Sequence, residues 1–118
     1  MLAVGYCSPS DVRLLTGVSE SIISDEEIES LITLGDQQIN DDIGVFVGEV
    51  PHRIRLLSAL LASIKLFSRP DMRFRIGVSG ISEHHIDESI SMWISEVKRI
   101  YAYYGRAIRE EPSKLLRC

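Results

Sequence analysis

The stretch from residue 51 to residue 68, PHRIRLLSALLASIKLFS, decides how this chain folds. Pro51 suits the start of a helix, because its ring fixes the helical φ angle and its missing N–H needs no partner there. Apolar residues recur at three- and four-residue steps and also occupy the other faces: Ile54, Leu57, Leu60, Leu61, Ile64 and Phe67, then Leu56, Ala59, Ala62 and Leu66. A helix that is apolar nearly all round must be covered on several sides. We therefore predict that this segment is the core helix and that it ends at Arg69-Pro70.

Two helices are predicted ahead of this segment, each from a capping pattern. Ser8-Pro9-Ser10-Asp11 can begin a helix of about two turns that ends at Gly17. Ser24-Asp25-Glu26-Glu27 begins the next one, with acids where the helix dipole favours them. One face of this second helix carries Ile28, Leu31, Ile32, Gly35 and Ile39 at helical spacing. The second helix should end near residues 42–44, and Gly35 is small enough to let another helix approach closely.

The chain after the core helix is predicted to contain a strand and a long helix. In residues 73–78, RFRIGV, polar or small residues alternate with apolar ones, as in a half-buried strand. Such a strand needs a partner, either residues 45–47 or another copy of the chain. Residues 43–50 are predicted to form a turn or a short strand. Residues 82–109 should form the longest helix, on the apolar series Ile86, Ile90, Trp93, Ile94, Val97, Ile100, Tyr101, Tyr104 and Ile108.

These elements define a mostly α fold: a small helical bundle with a long C-terminal helix and a short strand or β-hairpin. The 118 residues suit one domain spanning residues 1–118. Residues 112–118 follow Pro112 and are predicted to be a tail that becomes ordered only against a partner, with Leu115 and Leu116 as the anchor.

Charge is divided unevenly along the chain. The net charge is −4, yet nine acids and no base lie between Arg13 and Arg53, whereas twelve bases and seven acids follow from Arg53 onward. The two regions could be solvated faces of one monomer, or unlike surfaces that bring neighbouring copies together. For the second case we predict that Glu26 and Glu29 of one copy lie near a basic cluster of the next, formed by Arg69, Arg73 and Arg75.

The sequence predicts no catalytic residues, no cofactor and no metal ion. His84 and His85 are adjacent and point to different sides of a helix, and Cys7 has no evident base partner. The basic cluster around Phe74 could contact phosphates, but a strand edge guarded by charge is the preferred interpretation. Tyr103 is not needed for the apolar stripe of the last helix and is therefore a candidate interface residue.

The composition favours a protein made in a reducing compartment. The longest apolar stretch, residues 56–67, is interrupted by polar residues and is shorter than a membrane span, so no contact with a membrane is expected. The first five residues lack the features of a signal peptide. Cys7 and Cys118 stand at opposite ends of the chain, which makes a poor disulfide framework.

The order of these segments resembles a family of viral structural proteins. The opening YCSPSDV leads to LTG, then ISDEEI with Leu31 and Ile32, a long apolar helix, RIGVS and a long last helix. This order is similar to that of the head–tail connector (adaptor or head-completion) proteins of long-tailed phages and related archaeal viruses. The resemblance covers nearly the whole chain, but it rests on helix starts rather than on catalytic signatures.

The resemblance implies a non-enzymatic virion subunit. Copies would form a ring, typically of twelve, beneath the portal protein, extend the DNA channel and dock the tail or a stopper protein. The protein would reside at the head–tail interface of the virion, and in the host cytoplasm during assembly. The contacts implied by the family are residues 73–82 and 108–118. The alternative is a small helical regulator that binds DNA, although an acidic helix and an apolar one suit a DNA groove poorly.

Overall fold

The protein is described here from a computed structural model, which covers residues 5–78 and 80–110, with side chains up to Gly105. These residues form five helices: α1 Pro9–Thr16, α2 Asp25–Asp42, α3 His52–Ser68, α4 Pro70–Val78 and α5 Glu83–Glu110. Within this part of the chain there is no strand. The predicted helical fold class is confirmed, whereas the predicted strand or hairpin is not observed.

The helix starts follow the capping chemistry in the sequence. Ser8 caps α1, and the reciprocal bonds between Ser8 and Asp11 complete a capping box. Gly17 ends α1 with a φ of 74°, a left-handed conformation that glycine adopts without strain. Ser24 caps α2 by accepting a hydrogen bond from the backbone N–H of Glu27. The predicted boundaries of α1, α2 and α3 are therefore confirmed, and so is the long helix after residue 82.

Helix α3 is the centre of the bundle and packs against each of the other four helices. Five of its large apolar side chains are fully buried, and each contributes about 1.5–3 kcal/mol relative to an exposed position; they are Ile54, Leu57, Leu60, Leu66 and Phe67. At Gly35 of α2, an added Cβ atom would lie 3.2 Å from the Cβ of Leu61. The predicted close approach of a second helix at Gly35 is thus confirmed.

The prediction of a strand at residues 73–78 is wrong, because these residues belong to α4. Pro70 and Asp71 begin this helix, and Met72 and Ile76, one turn apart, are both completely buried. A strand would instead have turned Phe74, Ile76 and Val78 to one face. In the helix Phe74 and Val78 are 74% and 75% exposed. The residues that are buried in the core are therefore those with helical spacing. The alternation of polar and apolar residues in the sequence does not correspond to a strand.

The connection between α2 and α3 is irregular, with a turn at Ile43 and no strand. Phe46 packs edge-on against Tyr6, at 5.9 Å between ring centroids, and against Tyr104 of α5, at 6.3 Å. Val45 and Val47, on either side of Phe46, are exposed. The connection is therefore anchored by one aromatic side chain, and residues 45–47 do not serve as a partner strand.

Helix α5 lies against α3 with the face that its apolar spacing predicts. Ile86, Trp93, Val97 and Ile100 are buried, and the rings of Trp93 and Phe67 are 5.0 Å apart. Ile94 is the exception, at 39% exposure. The side chain of Ile108 and the predicted tail at residues 112–118, including Leu115 and Leu116, lie outside the described residues. No helix in the described ranges has both the length and the apolar character that crossing a membrane requires.

Candidate interaction surfaces

The arginines of the predicted basic cluster form ion pairs with carboxylates of their own chain. Arg69 contacts Asp71 at 3.0 Å, and Arg75 lies 4.0 Å from the same carboxylate while donating to the backbone carbonyl of Ile22 at 3.2 Å. Arg73 forms an ion pair with Asp87 of α5 and donates to the carbonyl oxygen of Phe67 at 3.1 Å. The three arginines are on and beside α4, but much of their charge is compensated locally.

Arg73 has a structural role that the sequence did not reveal. Its guanidinium joins the C-terminal end of α3 to the beginning of α5, and its side chain is only 30% exposed. The carbonyl of Phe67 belongs to the last turn of α3, where backbone oxygens lack helical partners. Arg73 therefore satisfies a helix end and is less available to another molecule than the sequence suggested.

The predicted acidic surface is exposed. Glu26 and Glu29 lie on the outer face of α2, and neither forms an ion pair with another described residue. Other acids of the base-free region have partners in their own chain: Asp25 binds Arg13, Asp36 accepts from Ser58, and Asp42 accepts from the hydroxyl of Tyr101. The two glutamates thus remain free for contact with another copy, and that contact stays a prediction.

Tyr103 has a partner in its own chain. The guanidinium of Arg53 lies 4.0 Å from the centre of the Tyr103 ring, and the ring of Tyr104 meets Tyr103 edge-on at 5.1 Å. Tyr103 is 40% exposed. A cation–π contact of this kind contributes about 0.5–1 kcal/mol at an exposed site. Tyr103 therefore helps to attach the start of α3 to α5 while presenting part of its ring to solvent.

A polar cluster that the sequence analysis missed fixes the N-terminal segment across α2 and α3. The Asp36 carboxylate accepts from the backbone N–H of Tyr6 at 2.8 Å and from the Ser58 hydroxyl at 2.6 Å. The Tyr6 hydroxyl donates to Asn40 and accepts from the N–H of Phe46 at 3.1 Å. These partners are 22 to 40 residues apart in sequence, so no local pattern could have indicated them.

The electrostatics of this cluster do not suit nucleophilic chemistry. Burial raises the pKa of the Cys7 thiol to about 11, so the thiol stays protonated at neutral pH. Burial also raises the pKa of Asp36, although hydrogen bonds from Ser58 and Tyr6 act in the opposite direction. Ser58 Oγ has a single hydrogen, which the shorter bond to Asp36 uses. Across the 3.2 Å between Ser58 Oγ and Cys7 Sγ, the protonated thiol is therefore the donor. The arrangement is one that stabilises the fold.

The histidines at the start of α5 are solvent-exposed. His84 lies 3.3 Å from Glu88 one turn later, and its side chain is 83% exposed. In the part of the chain that the structure describes, no three side chains of the His, Cys, Asp and Glu types come together as a metal site would require. We therefore interpret His84 and His85 as solvent-exposed residues in the first turns of α5.

Two surfaces on different helices of the described chain combine exposed apolar side chains with charged ones. The first, here called the α4 stripe, consists of Asp71, Phe74, Arg75 and Val78, which share one face of α4 because their spacing is three and four residues. The second, here called the α1–α3 groove, is a shallow cavity of about 270 Å³ lined by Asp11, Leu14, Leu15, Arg55, Leu56 and Ala59. Leu14 is 85% exposed and Leu56 is 40% exposed. Both surfaces place large apolar side chains in water.

Comparison of the chain with protein-family models, with curated proteins and with solved structures gave no match.

Proposed function

We propose that this protein is a structural subunit that assembles into a ring through contacts between copies, as a head–tail connector of a tailed virus does. The observation that carries the proposal is the presence of two unlike apolar surfaces, the α4 stripe and the α1–α3 groove, on one small helical body. Isolated exposed apolar residues are common, but clustered ones on a small protein mark interaction sites. Two different surfaces on each copy suit head-to-tail contact, and such contact closes into rings when the rotation allows.

The order of the helix starts supports assigning this ring to the connector family. As a member, the protein would have no enzymatic activity. Its ring would lie beneath the portal protein, continue the DNA channel, and present a platform to the tail or to a stopper protein. The exposed acids Glu26 and Glu29 suit a particle through which DNA must pass, because a negative surface does not retain phosphates.

The pairing of the arginines argues against the alternative of a DNA-binding regulator. Binding of DNA depends on cations that are free to neutralise phosphates. Arg69, Arg73 and Arg75 face Asp71 and Asp87, and Arg73 and Arg75 also donate to backbone carbonyls. A phosphate would have to compete with these carboxylates for each guanidinium.

Electron microscopy of the purified protein, alone and mixed with the portal protein of the same virus, tests the proposal. We expect closed rings seated on one end of the portal, with the portal alone as the control. Particles that are indistinguishable from the portal alone at saturating concentrations of this protein would refute it. In parallel, fluorescence anisotropy with a short DNA duplex should show no binding at physiological salt. Tight, salt-dependent binding would instead favour the regulator.

A further inference from the structure

We propose that the α4 stripe of one copy docks into the α1–α3 groove of a neighbouring copy, so that Phe74 and Val78 cover Leu14 and Leu56. This inference rests on the proposed function and names the surfaces through which copies would join. It is the helix-in-groove mode of recognition, in which apolar residues at three- and four-residue spacing enter a cleft between helices.

The exposed residues of α4 have the pattern that this mode requires. Asp71, Phe74, Arg75 and Val78 follow one another at steps of three, one and three residues and therefore form a single stripe. The opposite face of α4 is committed to the core, since Met72 and Ile76 are fully buried. Phe74 and Val78 are three-quarters exposed, so α4 has one face that packs within the chain and one that does not.

The groove offers a surface of matching character. Leu14 and Leu15 come from α1, and Leu56 and Ala59 come from α3, which makes an apolar cleft between the two helices. One edge of the cleft is charged, because Asp11 and Arg55 meet there at 3.2 Å. The cleft is thus apolar along its length and carries one acid and one base at its rim.

Charge complementarity indicates a second copy of this chain as the occupant. The stripe carries one acid and one base, Asp71 and Arg75, and the groove also carries one of each. Both pairs are ion pairs within their own chain, and Arg69 also contacts Asp71, so a neighbouring copy would extend these pairs rather than replace them. Docking that places Arg75 against Asp11 sets Asp71 against the neighbour's Arg55, which gives four alternating charges. The reversed orientation would bring like charges together, so the rim fixes the direction of docking more than it adds affinity.

This arrangement changes one part of the contact that was predicted from charge alone, namely the role of Arg73. Arg73 is engaged with Asp87 and Phe67 of its own chain, so it is poorly placed to join neighbouring copies. Arg75 is more exposed, and its position beside Phe74 places it at the edge of the apolar contact. The apolar residues then supply the affinity, and the exposed charges set the register.

Cross-linking between two variants, each with one introduced cysteine, tests the docking. Cys118→Ser is introduced throughout, while Cys7 is kept because its buried, protonated thiol reacts slowly. Val78→Cys protein and Leu14→Cys protein are treated with a short bis-maleimide, separately and as a mixture. We expect a dimer in the mixture and little in either variant alone. A dimer from Val78→Cys alone would show a two-fold contact and would overturn the proposal, and so would the absence of any dimer.

Val47→Cys provides the matched control for cross-linking by random collision. Val47 is 86% exposed, as accessible as Leu14, but it lies on the α2–α3 connection. A mixture of Val47→Cys and Val78→Cys proteins should give no more dimer than the single variants. Equal yields from the two mixtures would overturn the proposal, because they would show that cross-linking reports accessibility rather than docking.

Self-association measured without a cross-linker gives a second, independent test. Phe74→Ser removes the largest exposed ring of the stripe and should weaken self-association by at least about tenfold in sedimentation velocity. Val47→Ser should leave self-association unchanged, and circular dichroism should show both variants folded. Self-association of Phe74→Ser protein equal to that of wild type would overturn the docking.

The two proposals can fail separately. Rings that form on the portal without the mixed cross-link would leave the connector function standing and refute this docking. The mixed cross-link without any ring on the portal would support the docking and refute the connector function.

Discussion

The hydroxyl of Ser58 donates a 2.6 Å hydrogen bond to the Asp36 carboxylate and so joins the core helix α3 to α2. Ser58 is completely buried, and Asp36 is half-buried with its other oxygen accepting from the N–H of Tyr6. A buried carboxylate needs such donors, because desolvation disfavours its charge. Loss of this single hydroxyl should therefore be felt across two helices and the N-terminal segment.

We expect Ser58→Ala to lower the free energy of unfolding by about 1–3 kcal/mol, the usual cost of removing a donor from a charged buried group. Urea denaturation followed by circular dichroism at pH 7 measures this change. Unfolding at the wild-type denaturant midpoint would show that water replaces the hydroxyl without loss.

Ser63→Ala should behave in the opposite way and is the matched control. Ser63 is also a fully buried serine of α3, but its hydroxyl has no hydrogen-bond partner within the described part of the chain. Alanine removes an unsatisfied polar atom and has a higher helix propensity. We expect Ser63→Ala to raise the free energy of unfolding by up to about 1 kcal/mol in the same urea experiment. A destabilised Ser63→Ala protein would show that this hydroxyl does have a partner.

Gly35 and Gly77 are predicted to respond differently to alanine. A Cβ at Gly35 would lie 3.2 Å from Leu61 Cβ, whereas a Cβ at Gly77 would meet nothing within 4 Å. Alanine favours a helix over glycine by about 0.5–1 kcal/mol, but overpacking a tight contact costs about 1–3 kcal/mol. Gly77→Ala should therefore stabilise the monomer and Gly35→Ala should destabilise it. Thermal melts of the two variants that shift in the same direction would contradict this account.

The sequence predicted the helices whose signals are local and failed where the deciding contacts are distant. Ser8, Ser24 and Gly17 act on neighbouring backbone groups, so their roles can be read from the sequence. Residues 73–78 fit a two-residue period over six positions, which is too short to exclude a helix. What decides for α4 is the burial of Met72 and Ile76 in the core beside α3 and α5, and no local pattern reports that packing.

The candidate surfaces were predicted only in part, again because some of the deciding contacts join residues that are distant in the sequence. Exposure of Glu26 and Glu29 follows from the apolar face of α2, which the spacing reveals. The ion pair between Arg73 and Asp87 joins residues 14 positions apart in different helices, and the sequence gives no indication of it. The α1–α3 groove likewise exists only because two helices far apart in sequence lie side by side.

Arg73 offers a test of its structural role. We expect Arg73→Asp to lower the free energy of unfolding by about 1–2 kcal/mol, because it removes a donor from the Phe67 carbonyl and places two acids together. Adding Asp87→Arg should restore part of the loss by reversing the ion pair. Glu26→Lys, on an exposed face, should change stability by less than about 0.5 kcal/mol. A double-mutant cycle with no coupling energy would show that the ion pair between Arg73 and Asp87 does not stabilise the fold.

The buried thiol of Cys7 predicts a specific loss of stability at alkaline pH. Burial raises its pKa from about 9 to about 11, so above pH 9 the unfolded chain releases a proton that the folded chain retains. The stabilisation is complete below pH 9 and disappears as the pH rises toward 11, at a cost of at most about 3 kcal/mol. Cys7→Ala should therefore lose less stability than wild type between pH 9 and pH 10 in urea titrations.

Tyr101→Phe separates this effect from a second alkaline transition. Burial, together with the hydrogen bond to Asp42, raises the pKa of Tyr101 from about 10 to about 12, so its contribution is lost in a higher pH window. Tyr101→Phe should follow the wild-type curve between pH 9 and pH 10 and become flatter only above that range. If wild type and Cys7→Ala lose stability in parallel from pH 8 to pH 11, the Cys7 thiol is not held in its protonated form by the fold.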